Sequence, residues 1–391
     1  MEGGRDQVAQ RRRRQDPGRV RAGLLGGGTQ VRRQLVTRAD EFLAGRPYSI
    51  LDREPSDWAG DAHDYYSVGN YSWPNPETAD GLPYIRVDGR RNPDAWSDRY
   101  DKRRFRQTAA AVNTLVQAHV LTGEARYADA AVARLERWFL DPATAMRPNF
   151  AHAAALPGRH DGAAIGQIEA TLLTDLLDHV DLLVRAGRFA EGLPLLQDWF
   201  AELANWMRSS ELGRQEELMT NNHGVWWDAQ VLRYLQFVGD RTALTEILDR
   251  FGIRLRHIAT GGSLPRELAR PDSLLYTIYC LRAFAVCCRV AAAEGRDLWN
   301  APAEPGYGSL RDAFHFWAGH ANDDRRWIWP RQPSDLDRTA LWLADEAAAV
   351  YQTPGLKAFA ETLRRQDLPD PEIPATAAME PAMEHIPTGK E

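Results

Sequence analysis

Apolar residues recur at helical spacing along most of the chain from Val31 onward. Val31, Leu35, Phe42 and Leu43 share one face of a first helix that ends at Gly45-Arg46-Pro47. Residues 47–104 then break the rhythm, with Pro, Gly, Asn and Asp interleaved with aromatic side chains. So long a loop in a compact protein is usually functional. Beyond it, Ala109, Val112, Leu115, Val116 and Val120 predict a helix over 105–121 that stops at Thr122-Gly123. A partner follows at 125–139, and similar runs predict helices at 164–186, 188–209, 222–238, 241–257, 272–294, 309–320, 337–350 and 355–365. No stretch shows convincing strand alternation. Short connections between long helices make antiparallel hairpins. Without a constant repeat period, an open array of helical repeats is disfavoured. The pattern therefore predicts an all-α fold, an (α/α) toroid with a cleft at the end where the inter-helix loops converge.

Composition adjusts this picture in three places. A length of 391 residues suggests two or three domains. The helical rhythm instead predicts one toroidal domain over 29–366, with the 47–104 loop at its cleft. Residues 1–28 read as a disordered basic extension and 367–391 as a Pro-rich tail. With 44% hydrophobic and 26% charged residues, a disordered or collagen-like chain is excluded. The net charge of −6 offers no overall basic field for nucleic acid, and it hides an asymmetry. Residues 1–46 carry about +6, so the remainder is near −12. No run of eighteen apolar residues suggests a membrane span, and the N-terminus lacks a signal-peptide core. The chain as written is expected to be cytoplasmic, secretion staying open should the start site lie elsewhere. Cys280, Cys287 and Cys288 sit in one apolar helical run, which favours reduced, packed thiols over a disulfide framework or a zinc site.

Three polar segments concentrate chemistry at predicted helix starts. The first is Thr220-Asn221-Asn222-His223-Gly224-Val225-Trp226-Trp227-Asp228. An N-cap accounts for Thr220 or Asn221. It leaves unexplained an amide beside a His beside a Gly, since Gly is costly inside a helix unless backbone or ligand must approach closely. The second runs from Gly262 to Tyr279, with Arg266 and Arg270 in a charged loop and Tyr276 just inside the helix after Pro271. By itself Tyr276 is as well explained as a core residue, and Arg270 as a partner of Glu267. The third, Asn149 to Glu169, carries His152, Arg159, His160 and Asp161, and is equally consistent with a loop capped at Asp161.

At these segments the sequence resembles the alginate lyase superfamily of (α/α) toroid polysaccharide lyases. NNHGVWWD is similar to that group's Asn-Asn-His-Gly-x-Trp/Tyr-x-Asp motif, and LPRELARPDSLLY to its Arg loop and catalytic Tyr helix. The match runs in order from about residue 64 to 290 through YSWPNPETADGLPYIRVDGRRNP, LTGEARYADAAVARLERWFLDPATAMRPNF and GRHDGAAIGQIEATLLTDLLD. Its pattern is closer to the uronate-lyase branch that includes polysaccharide lyase family 38. Leu275 departs from it, standing where many relatives have His before the Tyr.

The resemblance implies β-elimination on a 4-linked uronic acid polymer such as alginate or glucuronan, with no cofactor or metal. The C5 proton is weakly acidic while the neighbouring carboxylate is ionised. Asn222 and Arg270 would neutralise that carboxylate as an oxyanion hole does. Tyr276, its pKa lowered by Arg270, would supply both base and acid for syn elimination, and His223 would act either as the base on the opposite face for the epimeric uronate or as a further neutraliser of the carboxylate. Tyr71, Trp73, Arg159, His160, Asn221, Trp226, Trp227 and Arg266 are the expected substrate contacts. Asp228 would orient His223 or cap a turn. The rival classes are a glycoside hydrolase, for which Asp161, Asp228 and Glu267 are candidates without a recognisable pairing, and a non-catalytic carbohydrate-binding protein. The latter would leave His223 and Tyr276 apart. The expected partner is a uronic acid polysaccharide or oligosaccharide, not nucleic acid or membrane.

Overall fold

Helix after helix is set by buried apolar stripes, and left-handed glycines, Gly123 and Gly239, end two of them. In the computed structural model the described residues are 29–366, apart from 56, 57, 59, 322–325 and 331–337, together with Leu368. The expected basic extension and nearly all of the Pro-rich tail lie outside them. The chain enters through α1 (Thr29–Ala44), then crosses a long loop that holds β1 (Tyr66–Val68), β2 (Ser72–Trp73) and β3 (Ile85–Arg86). Helices α2 (Lys102–Thr122) and α3 (Ala125–Leu135) form the first tight hairpin. Gly123 adopts φ 79° and donates its N–H to the His119 carbonyl, a left-handed cap that lets the chain reverse in two residues.

A single π turn, Glu136–Leu140, extends α3, and β4 (His152–Ala155) and a 3₁₀ segment, Ala164–Thr171, lead into α4 (Leu172–Arg185). Then come α5 (Gly192–Ser209), α6 (Glu211–Glu217), α7 (Asn222–Val238), α8 (Arg241–Asp249), the short α9 (Gly252–Leu255) and α10 (Pro265–Leu268), and α11 (Ser273–Ala293). Helices α12 (Leu310–Ala321), α13 (Arg338–Tyr351) and α14 (Pro354–Arg364) complete the described set. The pairs α1–α2, α2–α3, α7–α8 and α13–α14 pack as hairpins, α2 also meets α4, and α7 packs against both α5 and α11. This is the (α/α) toroid that the periodicity predicts.

The four strands are a correction to the strand-free expectation. β1 pairs in parallel with β4, and β2 pairs antiparallel with β3 through Ser72↔Arg86 and Trp73↔Ile85. At two to four residues each they are too short to print an alternating pattern. Two long helix predictions also break: 164–186 begins as 3₁₀ helix, and 241–257 divides at Arg250.

Helix α11 is the apolar axis of the core. It is long and apolar enough by length and composition to cross a membrane, although Arg282 and Arg289 interrupt it, and most of it is buried against neighbouring helices. All three cysteines lie on it as free, buried thiols, as their spacing suggested.

Candidate active site

Two helices bring the first two polar segments together. The Asn222 backbone N–H donates to Glu267 Oε1 at 2.7 Å and its Nδ2 to Oε2 at 2.7 Å, joining the start of α7 to α10. One turn further on, the Trp226 and Tyr279 rings meet at 4.9 Å. Helices α7 and α11 therefore run in the same direction and begin at the same end of the ring. Their N-terminal turns carry His223 and Tyr276, and the partial positive charge of both helix ends is available to an anion.

His223 is held by a carboxylate that sequence reasoning missed. Glu216, 1% exposed, places Oε1 2.5 Å from His223 Nδ1. With Nδ1–H donating to that carboxylate, Nε2 keeps its lone pair for chemistry. Asn221 caps the helix as expected, its Oδ1 accepting from the His223 N–H at 3.2 Å. Asp228 does something other than expected. It is buried between Arg250 at 2.7 Å and Arg254 at 2.8 Å, and Arg254 also donates to the Glu217 and Met219 carbonyls. Asp228 thus anchors the 217–221 turn that sets Glu216 beside His223, and does not touch the imidazole. Gly224 is explained by the same anchor. A Cβ there would sit 2.0 Å from the Met219 carbonyl oxygen and 2.4 Å from Arg254 Nη1. Backbone and arginine need the space.

Tyr276 lies in a chain of donors. Arg270 Nη2 donates to its hydroxyl at 3.0 Å with the guanidinium over the ring at 4.1 Å, and the Tyr71 hydroxyl is 2.9 Å away. The pKa direction corrects the expectation: burial pushes the Tyr276 phenol up, Tyr71 adds to that, and Arg270 opposes without reversing it. The free protein therefore holds Tyr276 protonated. Arg270 also donates to Asp88 at 2.9 Å, not to Glu267.

Asn222 is fully buried, and its donors point at Glu267, so at most the second N–H of Nδ2 remains for a ligand. Burial raises the Glu267 carboxyl against the opposing Asn222 hydrogen bonds.

Of the expected sugar contacts, Tyr71 is at the site and Trp73 is half-buried, its indole N–H on the Arg90 carbonyl and one face under Arg90. Trp226 and Trp227 are 0% and 1% exposed. They are core, because the residues following the cap point into the ring packing, and neither can stack on a sugar. Arg159 and His160 are exposed on a turn whose Pro157 carbonyl accepts from the Tyr84 N–H, so they belong to the rim with the long loop. Arg266 is exposed on α10. The hydrolase candidates separate: Asp228 is locked in ion pairs, Glu267 holds Asn222, and Asp161 is exposed. Among the described residues no group of three His, Cys, Asp or Glu side chains is placed to hold a metal ion.

A second cluster ties the loop to the ring. Glu169 accepts from Tyr65 at 2.7 Å and Ser67 at 2.8 Å and pairs with Lys102 at 3.0 Å. Lys102 also donates to the Val68 carbonyl and to Asn70 Oδ1.

Residues 52–327 match the family model described as alginate lyase. The fold is similar to the crystal structure of an alginate lyase from Bacteroides ovatus, at 30% identity and a TM-score of 0.80 over 92% of this chain and 94% of that one. It also resembles alginate lyase A1-III from Sphingomonas species A1, at 17% identity and a TM-score of 0.51 over 82% and 88% of the two chains. No curated protein sequence matches the chain significantly.

Proposed function

The chain belongs to the alginate lyase family and is a polysaccharide lyase, and from that premise we propose that it cleaves 4-linked uronic acid polymers by a β-elimination that needs no metal ion. The single observation that carries the reading is the convergence of two hydrogen-bonded groups, His223–Glu216 and Arg270–Tyr276–Tyr71, at the starts of two parallel helices.

In this reading the uronate carboxylate at the cleavage point takes over Arg270 from Asp88 and meets the helix N-termini, while the fully buried Asn222 stays bound to Glu267. Neutralising the carboxylate stabilises the enolate-like species formed when C5 loses its proton. His223 takes that proton on Nε2, with Glu216 supporting the imidazolium. Tyr276, protonated in the free protein, delivers a proton to the O4 leaving group, and Tyr71 can relay the replacement. The C5–H and C4–O bonds break, a C4–C5 double bond forms, and no water is consumed. Sugar rings would rest on the loop side against Tyr71 and Trp73.

Kinetics on a uronate polymer, followed by the near-ultraviolet absorbance of the unsaturated product, test the assignment. His223→Ala and Tyr276→Phe should each lower kcat by about 10²–10⁴-fold with the fold intact by circular dichroism. Full activity in folded Tyr276→Phe would overturn the mechanism.

A further inference from the structure

One turn into the ring from the reacting groups lies a second set of side chains that the elimination does not use. Along α11, Tyr276 is followed at successive three-residue steps by Tyr279 and Arg282, the latter about 120° round the helix and about 9 Å further along the axis at 1.5 Å per residue, a distance of one or two sugar rings. The Tyr279 hydroxyl is 3.0 Å from Thr171 Oγ1, and Arg282 lies over the buried Trp226 ring at 5.6 Å and pairs with Asp175. From α2, Arg106 joins them, one turn after Lys102. Both cations flank the half-buried Trp96 ring, Lys102 at 5.3 Å and Arg106 at 5.5 Å.

Arg106 differs from its neighbours in having no carboxylate. Lys102 is committed to Glu169, Arg282 to Asp175 and Arg104 to Asp98 and Asp101. Among the described residues no carboxylate comes within ion-pair distance of the Arg106 guanidinium, and no hydrogen bond engages it. Its side chain is open to water, yet the surrounding walls hold its pKa below the usual arginine value, and the groups that act on it include Tyr279, Tyr65, Arg282 and Glu169. A guanidinium in a walled recess, unpaired and beside an aromatic face, presents the planar fork that matches a carboxylate.

We propose that Arg106, with Trp96 beside it and Tyr279 and Arg282 behind it, forms a second anionic subsite that takes the carboxylate of a uronate residue away from the bond being cleaved. This rests on the polyuronate reading above and adds that the ring recognises at least two carboxylates of one chain at once. Arg270 acts where the bond breaks. Arg106 holds the chain in register, so its loss should appear in binding and KM more than in kcat.

The test is calorimetric binding of a 4-linked uronate tetrasaccharide to Tyr276→Phe protein, with and without Arg106→Gln, beside steady-state kinetics of the single Arg106→Gln variant on polymer. A charged hydrogen-bonded pair predicts about tenfold weaker binding and a similar rise in KM, with kcat changed by less than about threefold. Arg106→Lys keeps charge and bulk but not the fork, and should bind with intermediate affinity; it serves as the folded comparison should the Gln variant melt early. Unchanged affinity in both variants would overturn the subsite even in an active lyase. A fall in kcat at constant KM would overturn it too. Wild-type protein that yields no unsaturated product while its Tyr276→Phe form binds the tetrasaccharide through Arg106 would instead overturn the elimination and keep the subsite. Absence of tetrasaccharide binding would overturn both.

Discussion

The two walls of the cleft are built on opposite principles. The helical wall, made by α6, α7, α10 and α11, mounts its reacting groups on buried charge: Glu216 is 1% exposed, Glu267 2% and Asp228 0%. Glu267 and Asp228 are each gripped by two or more donors, and Glu216 by His223 alone, its Oε2 buried without a partner. The loop wall, residues 53–101, is fixed at its base by buried Asp101, which accepts from Arg53, Arg104 and the Tyr66 N–H, and by Lys102–Glu169. Its tip works in water, where exposed Asp88 reaches Arg270 and Arg90 covers Trp73. Breaking a buried pair leaves an uncompensated charge and costs about 3–5 kcal/mol, whereas an exposed pair contributes about 0.2–1 kcal/mol. Chemistry should therefore be sensitive to the helical wall and affinity to the loop wall.

The largest test of that division is Glu216→Gln. It removes the carboxylate that orients His223 without emptying the space, and kcat should fall by about 10–100-fold with KM nearly unchanged. Steady-state kinetics decide it, and an unaltered kcat would detach His223 from its carboxylate. Next comes Gly224→Ala, where the added methyl meets the Met219 carbonyl and Arg254. Overpacking predicts a loss of about 1–3 kcal/mol in urea unfolding; wild-type stability would mean the 217–221 turn is not tightly fixed. The smallest effect belongs to the loop wall. Asp88→Asn frees Arg270 for substrate, so KM should fall by a few-fold, within the 0.2–1 kcal/mol of an exposed pair, at constant kcat. A higher KM would make Asp88 a substrate contact.

What the sequence revealed of this arrangement follows from how far apart the partners lie along the chain. The helices were legible because their apolar spacing is local, and Asn222, His223, Arg270 and Tyr276 became candidates because the two short runs that hold them resemble motifs of a known family; spacing alone left Tyr276 as readily a core residue. Glu216 was close by, seven residues before His223, but nothing in ELGRQEELMT distinguishes it from the other acids of that stretch. The Tyr71–Tyr276 contact spans 205 positions and Asn222–Glu267 spans 45, so neither leaves a local trace. Trp226 and Trp227 misled because a pair of indoles beside a polar motif looks like a sugar platform. Which way they point depends on α5 and α11 packing around α7. The raised Tyr276 phenol shows the same limit: adjacency to Arg270 was readable, but the burial that outweighs it was not.

The most direct measurement is the product made by the wild-type protein from polymers of each 4-linked uronate. Elimination through His223 and Tyr276 predicts oligosaccharides with a 4,5-unsaturated end, seen as rising near-ultraviolet absorbance and as a mass one water lower than a saturated fragment. Saturated ends from every cleaved polymer, formed with uptake of water, would contradict the account.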